Sequence, residues 1–476
     1  MSALSSRAGA ERSSHLVLSI AGLALFAVLC GFGVAVGEFE AMIVALTVIG
    51  CVAVLIDFRV GAVLLIVLLP VESSYVFPHS IFGLTGLNPL NLLLATTLGS
   101  YLVRGQNLGR FVPGPLLWLV IVPTLFAGLL GLRHVDQIHP EFRDEMLIAF
   151  TDGFGYFRDV AVKPLLMVLG ALLIGAAVAK SQKPERFLGP VIVSVWLLSL
   201  LSIVYVALTG VSLGLLATSG ARGFFSALGM HANGLGRLYA VAYALLLFTW
   251  GESKDLRLKS ILVVTMGVLT LALLFTFSRG AFVGFILVNA LFFLWKFNAR
   301  TVALALLIVA LAAWLMPGAV IGRMRLGLDE GGDMNAVSAG RVDEIWLPLM
   351  PEILSAPPWG NGLDAVMWSR AIWSDAMLVV THPHNAYLQA ILDMGIIGLA
   401  LLLAYYWHVY RHLKELGSNA YLSATMRGFY QGAVAALACF LLTGFSGSSL
   451  RPAPEFAFLW IAIGMMYGHL ARRPTA

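Results

Sequence analysis

The sequence predicts an all-α polytopic membrane protein, and three features carry that reading. Apolar runs long enough to cross about 30 Å of hydrocarbon recur from one end of the chain to the other. Hydrophobic residues fill 59% of the 476 positions and charged residues only 12%, whereas a soluble domain carries about 25% charged residues. The short connections on one side of these runs all carry Lys or Arg, the bias that sets orientation in a bilayer.

In order, the runs fall near 15–36, 40–57, 60–77, 88–103, 113–132, 161–179, 187–209, 235–250, 259–277, 280–297, 301–319, 385–410, 427–446 and 454–470. Several are short for a span, so the expectation is about 12–14 transmembrane helices. The polar start (Ser5, Arg7, Glu11, Arg12) leads into a run from Leu16 that exceeds the apolar core of a cleaved signal peptide, about 7–15 residues, so the first span is expected to be kept.

Charge then gives a frame. With a cytoplasmic N-terminus, the cytoplasmic connections are 57–59, 104–110, 180–186, 252–259, 296–300 and 411–427. Most of the 30 basic residues lie on that side and most of the 25 acidic residues on the other. The net charge of +5 is accounted for by this bias. No basic patch is interleaved with stacking aromatics, so no nucleic-acid partner is expected. The expected organisation is a transmembrane bundle of about eleven spans over 1–319, a large periplasmic loop over 320–384, and three C-terminal spans over 385–476 ending in the cytoplasm. Long irregular connections are usually functional, and the outer side carries all of them: 133–160, 210–234 and 320–384. The last holds Pro351, Pro357, Pro358 and a short amphipathic stretch over 342–354, which together suggest a small helical cap. Cys30, Cys51 and Cys439 sit in apolar runs and read as small buried residues rather than a disulfide or metal framework.

Four stretches carry residues that could do chemistry, all on the outer side. Thr381-His-Pro-His-Asn385 precedes an apolar helix. Thr381 is expected to be the N-cap, with His384 and Asn385 in the first turn, where the positive helix end attracts a phosphate and keeps an imidazole neutral. A surface histidine at a helix cap is the plainer alternative, and two histidines two residues apart share no helical face for a metal. Ser278-Arg279-Gly280 separates two apolar runs with almost no loop. It places a guanidinium at the rim, either to grip phosphate or as a snorkelling anchor. Residues 221–237 offer Arg222, His231, Asn233 and Arg237. The large loop offers Arg341 with Trp346, Trp359, Trp368 and Trp373, whose rings suit sugar faces and membrane interfaces equally well. Asp393, deeper in the following helix, is a candidate partner for an arginine or a helix-packing residue. Arginines at the rim beside a neutral histidine fit cleavage of a lipid diphosphate: the arginines stabilise the leaving charge and the histidine takes a hydroxyl proton. No ATP motif appears, and an activated diphosphate needs none.

These pieces, in this order, resemble the O-antigen ligase and O-antigen polymerase superfamily. Arg222 with Asn233 is similar to an R-x-x-G-x-x-x-x-x-N segment and Ser278-Arg279-Gly280 to an S-R-G turn. Gly340-Arg341 through Trp346 to Pro358-Trp-Gly-Asn-Gly362 resembles a G-R…W…P-x-x-G-x-G loop. His384-Asn385 through Leu388 to Gly395 and Gly398 resembles H-N-x-Y-L…G-x-x-G-L. The resemblance implies metal-independent, cofactor-free transfer of a glycan en bloc from undecaprenyl diphosphate. The acceptor would be a hydroxyl of lipid A-core, another glycan or a protein, at the periplasmic face of a bacterial inner membrane. It implies His384 as general base and Arg222 and Arg279 as diphosphate ligands, with Asn385, His382, Asn233, Arg341 and Trp346 binding or orienting substrate. A repeat-unit polymerase or a protein O-oligosaccharyltransferase would use the same site. A lipid or polysaccharide transporter is the rival outside enzymology, but it would place ionisable residues near the membrane midplane rather than at the rim.

Overall fold

The computed structural model describes residues 39–71, 84–104, 111–144, 147–216, 220–296, 340–374 and 380–472, with a few single positions between. The runs expected near 15–36 and 301–319 lie outside the described residues. In chain order the principal helices are α1 (Phe39–Ile56), α2 (Phe58–Leu68), α3 (Pro89–Arg104), α4 (Gly114–Gln137), α5 (Gly153–Lys180), α6 (Pro184–Thr209) and α7 (Ala232–Glu252). These are followed by α8 (Leu256–Phe275), α9 (Arg279–Trp295), α10 (Leu347–Ser355), α11 (Ala386–Gly417), α12 (Ala424–Thr443) and α13 (Ala457–Ala471). A two-residue antiparallel pairing of Ser80–Ile81 with Leu84–Thr85 is the β-structure among them.

Among the described residues, six helices are long and apolar enough to cross a membrane: α4, α5, α6, α8, α11 and α12 with its trailing turn. Four shorter ones, at the positions of α1, α2, α3 and α9, are apolar as well. This is a multi-pass all-α membrane protein. Its outward-facing side chains include Val52, Leu102, Leu208, Val264, Ile286 and Leu294, a surface suited to lipid. Two expected boundaries move for local reasons. α2 tightens into a 3₁₀ turn at Leu69–Val71 because Pro70 supplies no backbone N–H. α5 begins earlier than expected because the Asp152 carboxylate caps it, accepting from Gly155 N at 2.7 Å.

At the centre are α7 and α13, buried on nearly every face, as a helix wrapped by others must be. Glycines four residues apart bring the backbones together. A Cβ on Gly428 or Gly432 of α12 would sit 2.5–2.6 Å from carbonyl oxygens of α7, and one on Gly464 or Gly468 of α13 would sit 2.1–2.3 Å from carbonyls of α5. Such small-residue spacing is how membrane helices pack without a hydrophobic driving force. At the far end of α7 from its N-terminus, Glu252 pairs with Lys296 and, at 3.8 Å, with Arg427.

α11 is not one helix. At Gly395 the backbone turns to φ 68, ψ −178, and the helix resumes beyond it. The chain from Pro358 to Gly362 fills the break: Ile397 N donates to Pro358 O (3.1 Å), Asn361 N to Leu392 O (3.0 Å) and Gly362 N to Asp393 O (3.0 Å). Leu363 N then reaches Ala127 O of α4 at 3.2 Å, and Tyr156 of α5 donates to Leu363 O at 2.6 Å. Around this wedge residues 340–374 form a small, partly helical cap, with Ile345, Leu349, Ile353, Val366 and Ala371 packed on Leu392.

Gly395→Ala should therefore destabilise the protein by about 1–3 kcal/mol, since a non-glycine residue is strained at this φ and its Cβ would lie 2.1 Å from Pro358 O. Thermal unfolding in detergent checks this. Gly267→Ala in α8, where a Cβ meets nothing within 4 Å, should leave the transition unchanged.

Candidate functional site

The helical part of α11 begins at Ala386, four residues later than a Thr381 cap would put it. Asn385 is the N-cap, with Oδ1 accepting from Tyr387 N at 3.0 Å and Leu388 N at 3.3 Å. The shift follows from His384, whose φ of 51 ends any helical register before it. His384 thus precedes the helix rather than lying in its first turn. Its backbone N–H donates to His382 Nδ1 at 3.2 Å, which makes that nitrogen of His382 an acceptor. The two rings meet edge to face at 4.2 Å. Trp346 holds the turn from the cap side, its indole N–H donating to Pro383 O at 2.7 Å.

Near this turn lies a narrow cleft of about 120 Å³ built from several parts of the chain, two of whose arginines, Arg237 and Arg341, are among the charges acting on His382 and His384. α7 contributes Asn233 and Arg237, the turn into α9 contributes Ser278, Arg279 and Gly280, the cap contributes Arg341, and the end of α12 contributes Ser446. Ser278 caps α9, its hydroxyl accepting from Ala281 N at 3.4 Å, so Arg279 is the first helical residue. The chain reverses at Phe277, with φ 46, and Gly280 lets the turn close on Ser446, since a Cβ there would lie 2.6 Å from Ser446 Oγ. His231 caps α7, its Nδ1 accepting from Asn233 N at 3.2 Å. Arg237 is 6% exposed, its Nε donating to Asn233 O at 3.1 Å and its Nη1 lying 3.2 Å from Glu455 Oε1.

Electrostatics tie turn and cleft together. Burial, then the neighbouring His382, Arg341, His231 and Arg237, push the His384 imidazole down to about 2. Burial, then Arg237, Arg341 and His231, push His382 down to about 4. Burial first, and the concentrated positive charge second, disfavour the protonated form of both rings. Arginines whose charge does not titrate, beside imidazoles able to accept a proton, suit an anionic ligand and a proton transfer next to it.

Of the residues singled out in the sequence, Asn233, Arg237, Arg279 and Arg341 line the cleft, while His382 and His384 lie near enough to Arg237, Arg341 and His231 to be affected by their charge. Asn385 is occupied in capping and Trp346 in bracing the turn. Arg222 lies in the helical turn Gly220–Leu228, which also supplies Phe225 to the cleft wall; its side chain falls outside the described residues. The cap tryptophans divide: Trp368 stacks on His134 at 5.4 Å, Trp373 meets His139 at 4.4 Å, and Trp359 is half-exposed. Asp393 does pair with an arginine, Arg451 at 3.9 Å, and also accepts from Gln389 Nε2 at 2.8 Å and Ala365 N at 3.0 Å. Arg451 binds Asp364 more closely, at 2.8 Å, so this buried group fastens the cap to the bundle. Arg451 and Glu455 are the residues that sequence reasoning missed; both lie in the short connection before α13. Among the described residues no three His, Cys, Asp or Glu side chains are gathered to hold a metal ion.

Diethyl pyrocarbonate, which acylates only neutral imidazole, should modify His384 at pH 5 as readily as at pH 7, mapped by mass spectrometry. An ordinary histidine of pKa about 6.5 would be only about 3% neutral at pH 5 and would be protected.

Residues 261–403 match the family model Wzy_C, described as O-antigen ligase. The matched stretch contains Arg279, Arg341, Trp346, His382, His384 and Asn385 and begins after the Arg222–Asn233 segment. No curated protein matches the chain.

Proposed function

We propose that this chain, which carries an O-antigen ligase segment, is a membrane glycosyltransferase that moves a glycan en bloc from undecaprenyl diphosphate to an acceptor hydroxyl. The observation that carries the proposal is the convergence of Arg237, Arg279 and Arg341 on one cleft beside two neutral histidines. In this reading Arg222 and Arg279 hold the diphosphate, and Arg341 adds to the field around it. The acceptor oxygen attacks the anomeric carbon of the donor sugar. The bond from that carbon to the diphosphate oxygen breaks, and the electron pair leaves with the carrier lipid. His384 takes the hydroxyl proton.

In the empty cleft His384 is a weak base, since its imidazole sits at about 2. A bound diphosphate would bring negative charge against the same arginines and raise its proton affinity. The base is thereby armed by its own donor. His382 accepts the backbone N–H of His384 and so sets the ring's approach, and Asn233 lines the cleft beside it.

A lipid-borne donor also needs an apolar path. A groove of about 680 Å³ along α6, lined by Val193, Leu197, Val204 and Leu208, ends against Ala227 and Leu228. Those two residues belong to the same turn that carries Arg222 and supplies Phe225 to the cleft. The prenyl chain is read as lying there. The positive-inside bias supports a cytoplasmic N-terminus, a periplasmic cleft and cap, and an inner-membrane location for this multi-pass protein. Lipid A-core is the acceptor proposed. On that reading residues 1–319 and 385–476 form the membrane bundle and 320–384 the periplasmic segment.

His384→Ala should lower glycan transfer by about a hundredfold or more without altering insertion or thermal stability, measured with a purified lipid-linked donor and lipid A-core. Arg279→Ala should raise the donor KM, and Arg279→Lys should rescue it poorly, because a point charge cannot replace the planar fork. Full activity of the His384 variant would remove the base assignment. Deleting the gene should leave long glycans on the carrier lipid, whereas single repeat units would identify a polymerase.

A further inference from the structure

Glu455 has no part in the mechanism above, yet it stands directly behind the cleft. It lies in the turn Pro454–Phe456 ahead of α13, and both it and Arg237 are largely buried. Its Oε1 accepts from Ser448 Oγ at 3.2 Å. A Cβ on Gly234 would lie 3.0 Å from Oε2, so the carboxylate rests beside the first turn of α7, the end of the helix whose dipole favours an anion. Arg237 is therefore one of three partners stabilising this charge.

The pairing is incomplete from the other side. Arg237 Nη1 is buried and, among the described residues, donates no aligned hydrogen bond despite lying 3.2 Å from the carboxylate. Its Nε is fixed on Asn233 O, and its guanidinium lies over the Phe456 ring at 6.0 Å. Gly447 gives it room, since a Cβ there would sit 2.7 Å from Nη1. A guanidinium anchored at Nε, held to Glu455 by charge rather than by an aligned hydrogen bond, and belonging to a residue that lines the cleft can be drawn toward an incoming oxygen.

We propose that Arg237 and Glu455 form a charge-exchange latch for the diphosphate. Arg237 is shared with Glu455 in the empty cleft and with a diphosphate oxygen in the loaded one, and Glu455 reclaims it as the spent carrier leaves. This rests on the proposed transfer from a lipid diphosphate. Cleaving the sugar leaves the diphosphate with one more ionisable oxygen than the donor had, so an arginine cleft grips its product harder than its substrate. A carboxylate competing for one arginine offsets that grip at the step where release is needed, while α7 and Ser448 keep the carboxylate stabilised when the arginine departs.

The test uses the full chain in nanodiscs, titrated with undecaprenyl diphosphate and assayed with a lipid-linked glycan. Glu455→Gln should bind undecaprenyl diphosphate about tenfold tighter and show one fast turnover followed by slower steady-state transfer. Arg237→Ala should bind it more weakly, and adding Glu455→Gln to that variant should change nothing further. Unchanged or weaker binding by a well-folded Glu455→Gln protein overturns the latch. If that protein does not fold, Glu455→Asp serves instead, with a smaller tightening expected and no change counting against the latch. Should the wild type bind undecaprenyl diphosphate and lose it on Arg279→Ala, the functional reading stands whatever Glu455 does. Absence of binding by the wild type overturns both.

Discussion

The peptide groups left unpaired where α11 breaks at Gly395 are the constraint on which the rest of this end of the bundle depends. A broken helix at membrane depth is tolerated only where other protein groups take up the freed hydrogen bonds. Here the segment Pro358–Gly362 does so with three backbone bonds, and the two glycines make it possible. Gly360 and Gly395 approach one another's chains so closely that a Cβ on either would overlap backbone atoms at 2.1–2.4 Å. Once the wedge is seated, the cap is no longer a free loop. Its hydrophobic face closes on Leu392, Asp364 is drawn to Arg451, and Trp346 arrives within reach of Pro383 O. The turn bearing His382 and His384 is thus braced through a chain of contacts that starts at the break.

That bracing matters because the turn is under two kinds of stress. His384 and Phe277 each hold a positive φ without being glycine, a conformation that costs on the order of 1–3 kcal/mol. They flank the site, one ahead of the capping Asn385 and the other ahead of the capping Ser278. Positive charge is concentrated there as well, adding to burial, the larger cause, in holding both imidazoles below their ordinary value. Strain and like charge at one place are sustained only by a rigid surround. The glycine-mediated packing of α12 on α7 contributes to it, since α7 carries Asn233 and Arg237 and the turn after α12 carries Ser446.

Much of the bundle was legible in the sequence because burial in lipid is written residue by residue. A span needs only local apolarity, and each run inside the described residues became a helix. The candidate site was legible in its basic and histidine members, which stand out against an apolar background. Capping was harder to read. Thr381, His384 and Asn385 all sit near the helix start, and the choice among them turns on a φ that only the tertiary fold imposes. The break at Gly395 was invisible for the same reason, since Gly395 reads as an ordinary helix-packing glycine until the wedge lies against it. Glu455 went unnoticed because its partner is more than two hundred positions away. Arg451 likewise joins Asp364 and Asp393 across distances that no local pattern encodes.

The two acidic groups at this end of the bundle show how a site can be basic without being unstable. Asp364 and Asp393 are committed to Arg451 and to backbone donors, and so hold the cap rather than neutralise the cleft. Glu455 touches Arg237, an arginine that lines the cleft, and is held by Ser448 as well. A charge pair of this kind is costly when one member is left buried without any partner. A carboxylate with a second donor of its own is therefore not stranded if Arg237 turns toward an incoming anion, and the two acidic clusters divide the work: one fixes the cap, the other attends the cleft.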